Sequence, residues 1–162
     1  MKHLTLLFIA LVFSPFLSAE ETETRLTELD AFWQKVSLAV QQGDFDSYQS
    51  TCHPDAVLVS GVKKKSYPLA EALKRWKKEF DDTRDGKRRS RVEFRFSHRY
   101  GDDKTAHEEG MFIYSYQTQG VEWQHEYIDL EALLVKKDGQ WLLIMEYQKS
   151  VSTQAAWEKL AK

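Results

Sequence analysis

The chain has 162 residues, enough for one domain with a real core and few for two. Its 23 basic and 25 acidic side chains leave a formal charge of −2, which argues against a nucleic-acid backbone or an anionic membrane surface as partner. The single cysteine, Cys52, excludes an internal disulfide, so stability must come from packing.

The chain opens on a short basic start, Met1-Lys2-His3, followed by an almost wholly apolar Leu4 to Phe13 and a small-residue exit from Pro15 to Ala19. Residues 1–19 therefore read as a secretory signal peptide cleaved after Ala19, although Leu17 is bulkier than the residue usual three positions before the cut. The apolar stretch is short for a membrane span and no stop-transfer charge cluster follows closely. A periplasmic or secreted protein is expected, with no stable membrane insertion after cleavage. Residues 20–162 then form one domain, with its core at about 26–150.

Glu20 to Arg25 is charged and expected to fray. Leu26, Leu29, Phe32, Trp33, Val36 and Val40 recur at helical spacing and predict a helix to Gln42, ended by Gly43, with Asp44 as cap of the next. Phe45, Tyr48 and Cys52 predict a short second helix stopped by Pro54. Ala56 to Ser60 reads as the first strand and Lys63 to Lys65 as a solvated loop. From Pro68, the positions Leu69, Leu73, Trp76 and Phe80 define a third helix whose aromatics need a sheet to cover them.

Val92, Phe94, Phe96, His98 and Tyr100 alternate with charged or small polar residues, predicting a strand with one wet face. Its upstream cluster, Lys87-Arg88-Arg89-Ser90-Arg91, reads as solvated. Thr105 to Gln117 is the next strand. Because Met111 and Ile113 make its second face apolar too, another subunit or a curled sheet is expected to cover that face. Val121 to Val135 and Trp141 to Lys149 are two strands joined through Asp138-Gly139, where the glycine supplies the positive φ of a tight hairpin. A short helix over residues 152–160 ends the chain. The sum is an α+β domain, a curved antiparallel sheet packed against N-terminal helices, with a cavity at its mouth.

Three passages carry a resemblance: Gln42-Gly43-Asp44-Phe45 followed by His53-Pro54-Asp55-Ala56-Val57, the helix beginning near Pro68, and Lys137-Asp138-Gly139-Gln140-Trp141-Leu142-Leu143-Ile144. Together they resemble the nuclear transport factor 2-like superfamily, the cone-shaped fold of ketosteroid isomerases, SnoaL-like cyclases, small dehydratases and many non-catalytic binding or association domains. The resemblance implies that fold but no single reaction. Where isomerases carry the general base this chain has Ser60, and where they carry the oxyanion-donating tyrosine it has Val36. Neither can do that work, so steroid-type isomerisation is disfavoured.

The candidate acid–base residues are His98, His125, Asp129 and Glu146. His98 sits on the apolar register of its strand. Trp123, His125, Tyr127 and Asp129 share one face of the long strand, opposite Ile128, Leu130, Ala132 and Leu134, and periodicity alone leaves open which set faces the cavity. Glu146, between Met145 and Tyr147, is a carboxyl whose burial would raise its pKa. Cys52-His53 is read as a buried or capping cysteine, because neighbouring side chains diverge. The histidines show no metal-ligating spacing, no phosphate loop or nucleophile elbow is present, and no cofactor is implied.

The leading expectation is an exported domain without demonstrable enzyme activity that binds a small apolar or amphipathic ligand in the cone or associates through its sheet. Trp33, Tyr48, Trp76, Phe96, Tyr100, Tyr114, Tyr127 and Tyr147 are the expected ligand contacts. The alternatives are a SnoaL-like dehydratase, cyclase or hydrolase, which needs at least two of the four acid–base groups to converge, and a structural homodimer formed through the sheet.

Overall fold

The computed structural model describes residues 15–160, with backbone alone for 15–18. The elements run α1 (Pro15–Gln42), α2 (Phe45–Gln49), β1 (Cys52–Ser60), β2 (Lys65–Pro68), α3 (Leu69–Arg84), β3 (Arg88–Gly101), β4 (Thr105–Thr118), β5 (Gln124–Lys137), β6 (Gln140–Val151) and α4 (Gln154–Lys159). Residues 1–14 of the expected signal segment lie outside the described residues, and α1 takes up the remainder. Among the described residues no helix is long and apolar enough to cross a membrane.

The strands form one sheet in the order β2-β1-β6-β5-β4-β3, antiparallel throughout except for β1 beside β6. α3 packs on both β1 and β3, which lie near opposite ends of that order, and α1 packs on both β3 and β6. A flat sheet would hold those strands too far apart to share one helix, so the sheet must curl around the helices. The apolar stripe of α1, from Leu29 through Phe32, Trp33 and Val36 to Val40, meets Leu69, Leu73 and Phe80 of α3. Val92, Leu130, Ala132, Leu134, Trp141 and Leu143 of the sheet complete a single core.

Four expectations change. α1 does not fray over Glu20 to Arg25, because Arg25 is buried and its Nη2 donates to the Arg99 carbonyl at 3.3 Å. α2 stops before Cys52, because the Thr51 carbonyl already accepts from Leu143 N at 2.9 Å and the chain has joined the sheet. Pro54 consequently lies within β1, where the register with β6 is irregular. Lys63 and Lys64 lie in the expected turn, but Lys65 belongs with Ser66 to Pro68 to a short edge strand against β1. Asp138 (φ 51) and Gly139 (φ 76) make the expected hairpin turn.

Two networks fasten α1 to the sheet. Glu108, fully buried, accepts from Trp33 Nε1 and from Arg99 Nε at 2.6 Å, and Arg99 also reaches Asp30 at 2.5 Å. Glu28 accepts from Lys136 Nζ at 2.6 Å and from Trp141 Nε1 at 2.8 Å, bonds that hold its pKa below the usual glutamate range.

On the outer face of the sheet, Met111 and Ile113 are buried, as expected, but their cover is the chain's own α4. Trp157 seats on them, with Arg95 stacked over its ring at 4.4 Å and donating to the Trp157 carbonyl at 2.8 Å. These two residues therefore give no reason for a second subunit.

β3 carries one extra residue. Phe96 pairs with Gly110 but His98 with Glu109, so Ser97 is a bulge and the strict alternation expected through Tyr100 ends at Phe96. Gly110 lies against this bend, where a Cβ would sit 2.0 Å from the Arg95 carbonyl oxygen. Beyond the bulge Arg99 points inward to Glu108, while His98 and Tyr100 turn outward.

Glu108→Ala should lower the unfolding free energy by about 3 kcal/mol, since it leaves the buried Trp33 indole N–H without its acceptor and the part-buried Arg99 guanidinium with Asp30 alone. Urea unfolding reads this directly. A midpoint within experimental error of wild type would mean that the network does not hold α1 in place.

Candidate functional site

Between the helices and the concave face of the sheet lies a cavity of about 370 Å³, within the range of small-molecule sites. α1 contributes Phe32, Trp33, Val36 and Val40 to its wall, α2 contributes Tyr48, and α3 contributes Trp76, Glu79, Phe80 and Thr83. The sheet adds Phe94, Phe112, Tyr114, Ile128, Leu130 and Leu143, with Arg88, Tyr116, Glu126 and Gln148 among the less apolar lining groups.

β5 settles which face looks inward. Leu130, Ala132 and Leu134 are core, and Glu126 and Ile128 continue the same parity into the cavity. β6 reaches the same cavity by breaking its parity. Leu134 pairs with Leu143 but Leu133 with Met145, so Ile144 is an inserted residue. Trp141 and Leu143 face the core before the insertion, and Glu146 and Gln148 face the cavity after it. Without that residue the strand's alternation would place Glu146 outside.

Of the three cavity carboxyls, Glu79 lies beside Arg88 and Glu126 is exposed, whereas Glu146 is set back among the apolar walls with no basic partner among the described residues. Burial raises its pKa, only partly offset by Gln148 Nε2, which donates to Oε1 at 2.7 Å. Its second oxygen has no partner among the described residues. Burial, reinforced by the nearby Glu146 charge, pushes the Tyr48 phenol well above its ordinary range. Burial likewise raises the Cys52 thiol to about 12, so it remains a thiol at neutral pH and is no nucleophile. His53 does not activate it, since His53 Nδ1 accepts from Asp55 N at 3.1 Å.

At the other side of the cavity, burial raises Tyr114 to about 12. Its hydroxyl donates to Glu79 Oε2 at 2.9 Å and accepts from Arg88 Nη2 at 3.0 Å. Arg88 lies 3.6 Å from Glu79 and stacks over Tyr116 at 4.1 Å. The Lys87 to Arg91 cluster is thus not uniformly solvated: Arg88 and Ser90 point into the fold, while Lys87, Arg89 and Arg91 are exposed.

Of the four acid–base candidates the structure brings only Glu146 to the cavity. His98 is exposed on the outer face, 3.6 Å from Glu109 and stacked on Tyr100. His125 is exposed there too, with Nδ1 2.8 Å from Ser115 Oγ. Asp129 faces outward and accepts from Ser150 Oγ at 2.7 Å. The convergence that acid–base catalysis by these residues needs is absent.

Trp33, Tyr48, Trp76 and Tyr114 line the cavity among the expected ligand contacts. Phe96 packs instead against Trp33 at 5.3 Å. Tyr100 is turned out by the Ser97 bulge, Tyr127 lies against Trp157 on the outer face, and Tyr147 follows the inward Glu146 and so points away. Arg88, Glu126 and Gln148 were not singled out from sequence. Alternation from Val92 back to Arg88, and from Leu130 back to Glu126, was the available signal for two of them.

The sign of the Glu146 shift sets a pH dependence. Its folded pKa exceeds that of the unfolded chain, so the ionised form costs stability, and that cost grows as pH rises from the ordinary glutamate range through the folded value. Glu146→Gln should therefore raise stability at pH 7–8 by about 1 kcal/mol. Near pH 4 the gain should vanish. A gain independent of pH, read from thermal unfolding at both values, would contradict a carboxyl held in an apolar setting.

No family model and no curated protein matches the chain. Solved structures do. A conserved protein of Planctomyces limnophilus superposes at a TM-score of 0.66 with 11% identity, covering 77% of this chain and 94% of that one. A protein of unknown function from Mycobacterium tuberculosis reaches 0.66 at 14% identity, covering 93% and 83%. An NTF-2 like protein of unknown function from Shewanella oneidensis reaches 0.58 at 16% identity, covering 76% and 97%. At such identities the likeness is one of fold alone: the chain has the nuclear transport factor 2-like architecture, a curved sheet closed over by its N-terminal helices.

Proposed function

We propose that the chain is a small-molecule-binding domain whose ligand, an apolar or amphipathic compound, occupies the cone. One observation carries this reading. The cavity is walled by aromatic side chains from three helices and the sheet, yet holds a few converging polar groups, which is the composition of ligand sites rather than of packing defects. The SnoaL-like acid–base alternative retains Glu146 as its single group inside the cone.

The neutral fluorescent probe N-phenyl-1-naphthylamine should bind saturably with one site per chain. Val36→Trp, which fills the cavity from α1, should weaken it at least tenfold while cooperative unfolding persists; Ile128→Phe is the second filling variant. Non-saturable binding, or unchanged affinity in folded variants of both kinds, would sink the proposal.

Export and self-association extend the proposal. The basic start and apolar run before Ala19 support removal of residues 1–19 on the way to the periplasm or exterior. Exposed Tyr100 and Leu133 on the outer face support a homodimer through the sheet. Native mass spectrometry of protein recovered from its own host reads both. A mass beginning at Glu20 and a doubled complex are expected; a full-length mass or a monomer at micromolar concentration would remove the respective claim.

A further inference from the structure

The charges around the cavity are unequal. Its lining includes three carboxylates, Glu79, Glu126 and Glu146, and one basic group, Arg88. Arg88 is already engaged: its guanidinium faces Glu79 at 3.6 Å, donates to the Tyr114 hydroxyl and stacks on Tyr116. Its Nε is buried without a hydrogen-bond partner among the described residues, but Glu79 already offsets the guanidinium charge at that end of the lining. An anionic group placed near Glu126 or Glu146 would meet like charge, since neither carboxylate has a basic partner among the described residues.

Glu146 has the opposite need. Among the described residues its one hydrogen-bond partner is the neutral Gln148 amide, on Oε1 only, and no basic side chain pairs with it. A carboxylate in apolar surroundings is stabilised by a cation brought to it. The surrounding faces suit the same guest, because Tyr48, Trp76, Phe80 and Tyr114 present π systems whose negative faces attract positive charge.

We propose that the cone takes an organic cation, an ammonium group on an apolar or aromatic body, with the ammonium against Glu146 and the body against the aromatic walls. This rests on the ligand-binding reading and names the chemistry of the ligand. Binding is a charge pairing: the ammonium keeps its protons and donates to the free Glu146 oxygen, and any proton on that carboxyl leaves to solvent.

The titratable and charged groups that share the cavity with Glu146 are Tyr48 of α2, Cys52 of β1, Tyr114 and Tyr116 of β4, Glu126 of β5, Glu79 of α3 and Arg88 of β3, while α1 presents only apolar side chains there. Burial keeps the Cys52 thiol and the Tyr48 and Tyr114 phenols uncharged through neutral pH. Affinity for an ammonium should accordingly rise with pH as Glu146 ionises and level off until the amine itself loses its proton.

The test is calorimetric titration of the full chain with 2-naphthylmethylamine, 2-naphthylmethanol and 2-naphthoate, which share one skeleton and differ in charge. At pH 7.5 the amine should bind at least about tenfold tighter than the alcohol, and the naphthoate weakest. Glu146→Gln should bring the amine-to-alcohol ratio to within about twofold of one, whereas Glu109→Gln on the outer face should leave the wild-type ratio in place. The wild-type amine affinity should fall on acidification to pH 5, and that of Glu146→Gln should not.

Alcohol binding as tight as amine, or a preference that survives Glu146→Gln, would overturn the cation assignment while leaving ligand binding intact. So would an alcohol affinity that falls as pH rises, the mark of a protonated Glu146 donating to a neutral acceptor. Failure of all three compounds together with N-phenyl-1-naphthylamine would overturn both readings.

Discussion

A β-strand shows alternate side chains to its two faces, so one inserted residue exchanges what each face presents from there onward. Residues are inserted at Ser97 of β3 and at Ile144 and Lys149 of β6, and the first two of these insertions set the interior of this cone. The Ser97 insertion in β3 sends Arg99 inward to Glu108 and expels His98 and Tyr100. The Ile144 insertion in β6 brings Glu146 and Gln148 to the cavity, although Trp141 and Leu143 before it had faced the core with the other parity. Bulges bend a strand as well as re-aim it, and a sheet that must wrap one helix from β1 round to β3 has use for the bend. Curvature and side-chain placement therefore share a cause.

The same insertion in β3 makes possible the attachment of α1. Only because Arg99 points inward can Glu108 be buried with its charge matched, and only then does Trp33 find an acceptor. The second attachment, Glu28 with Lys136 and Trp141, lies one helical turn and more toward the N-terminus of α1. Beyond these clamps α1 continues to Val36 and Val40, and there the space between helix and sheet opens into the cavity. A helix held firmly along one part of its length can stand away from the sheet along another, which is how an aromatic cone remains open instead of collapsing.

What the open part contains limits its chemistry. Burial holds the Cys52 thiol and the Tyr48 and Tyr114 phenols in their neutral forms, and the Arg88 guanidinium faces Glu79 and stacks on Tyr116. Two lining groups keep an unmet preference: the buried Arg88 Nε–H, without an acceptor, and the Glu146 carboxyl, without a cation. Binding is consequently better supported than turnover, because general acid–base chemistry needs a second group poised to trade protons with the first.

The sequence by itself determined a great deal about the frame. The helical stripe from Leu29 to Val40, the Pro68 start of α3, the Asp138-Gly139 turn and four long strands are all local statements, because periodicity and turn chemistry depend on residues a few positions apart. It also identified Glu146 as a carboxyl between apolar neighbours, and Trp33, Tyr48, Trp76 and Tyr114 as aromatic candidates. What only the tertiary structure decided was which face of each strand looks inward and what covers the other. β5 is amphipathic on both registers, so its facing depended on the strands paired to it. The bulges at Ser97 and Ile144 are invisible to a period-two pattern, because an inserted residue is recognised by the partner strand it fails to pair with. For that reason His98 read as inward, whereas Arg88 read as solvated because its charged neighbours outweighed the unbroken alternation that links it to Val92. The cover over Met111 and Ile113 likewise depended on α4 folding back across the sheet, a long-range contact that no local spacing encodes.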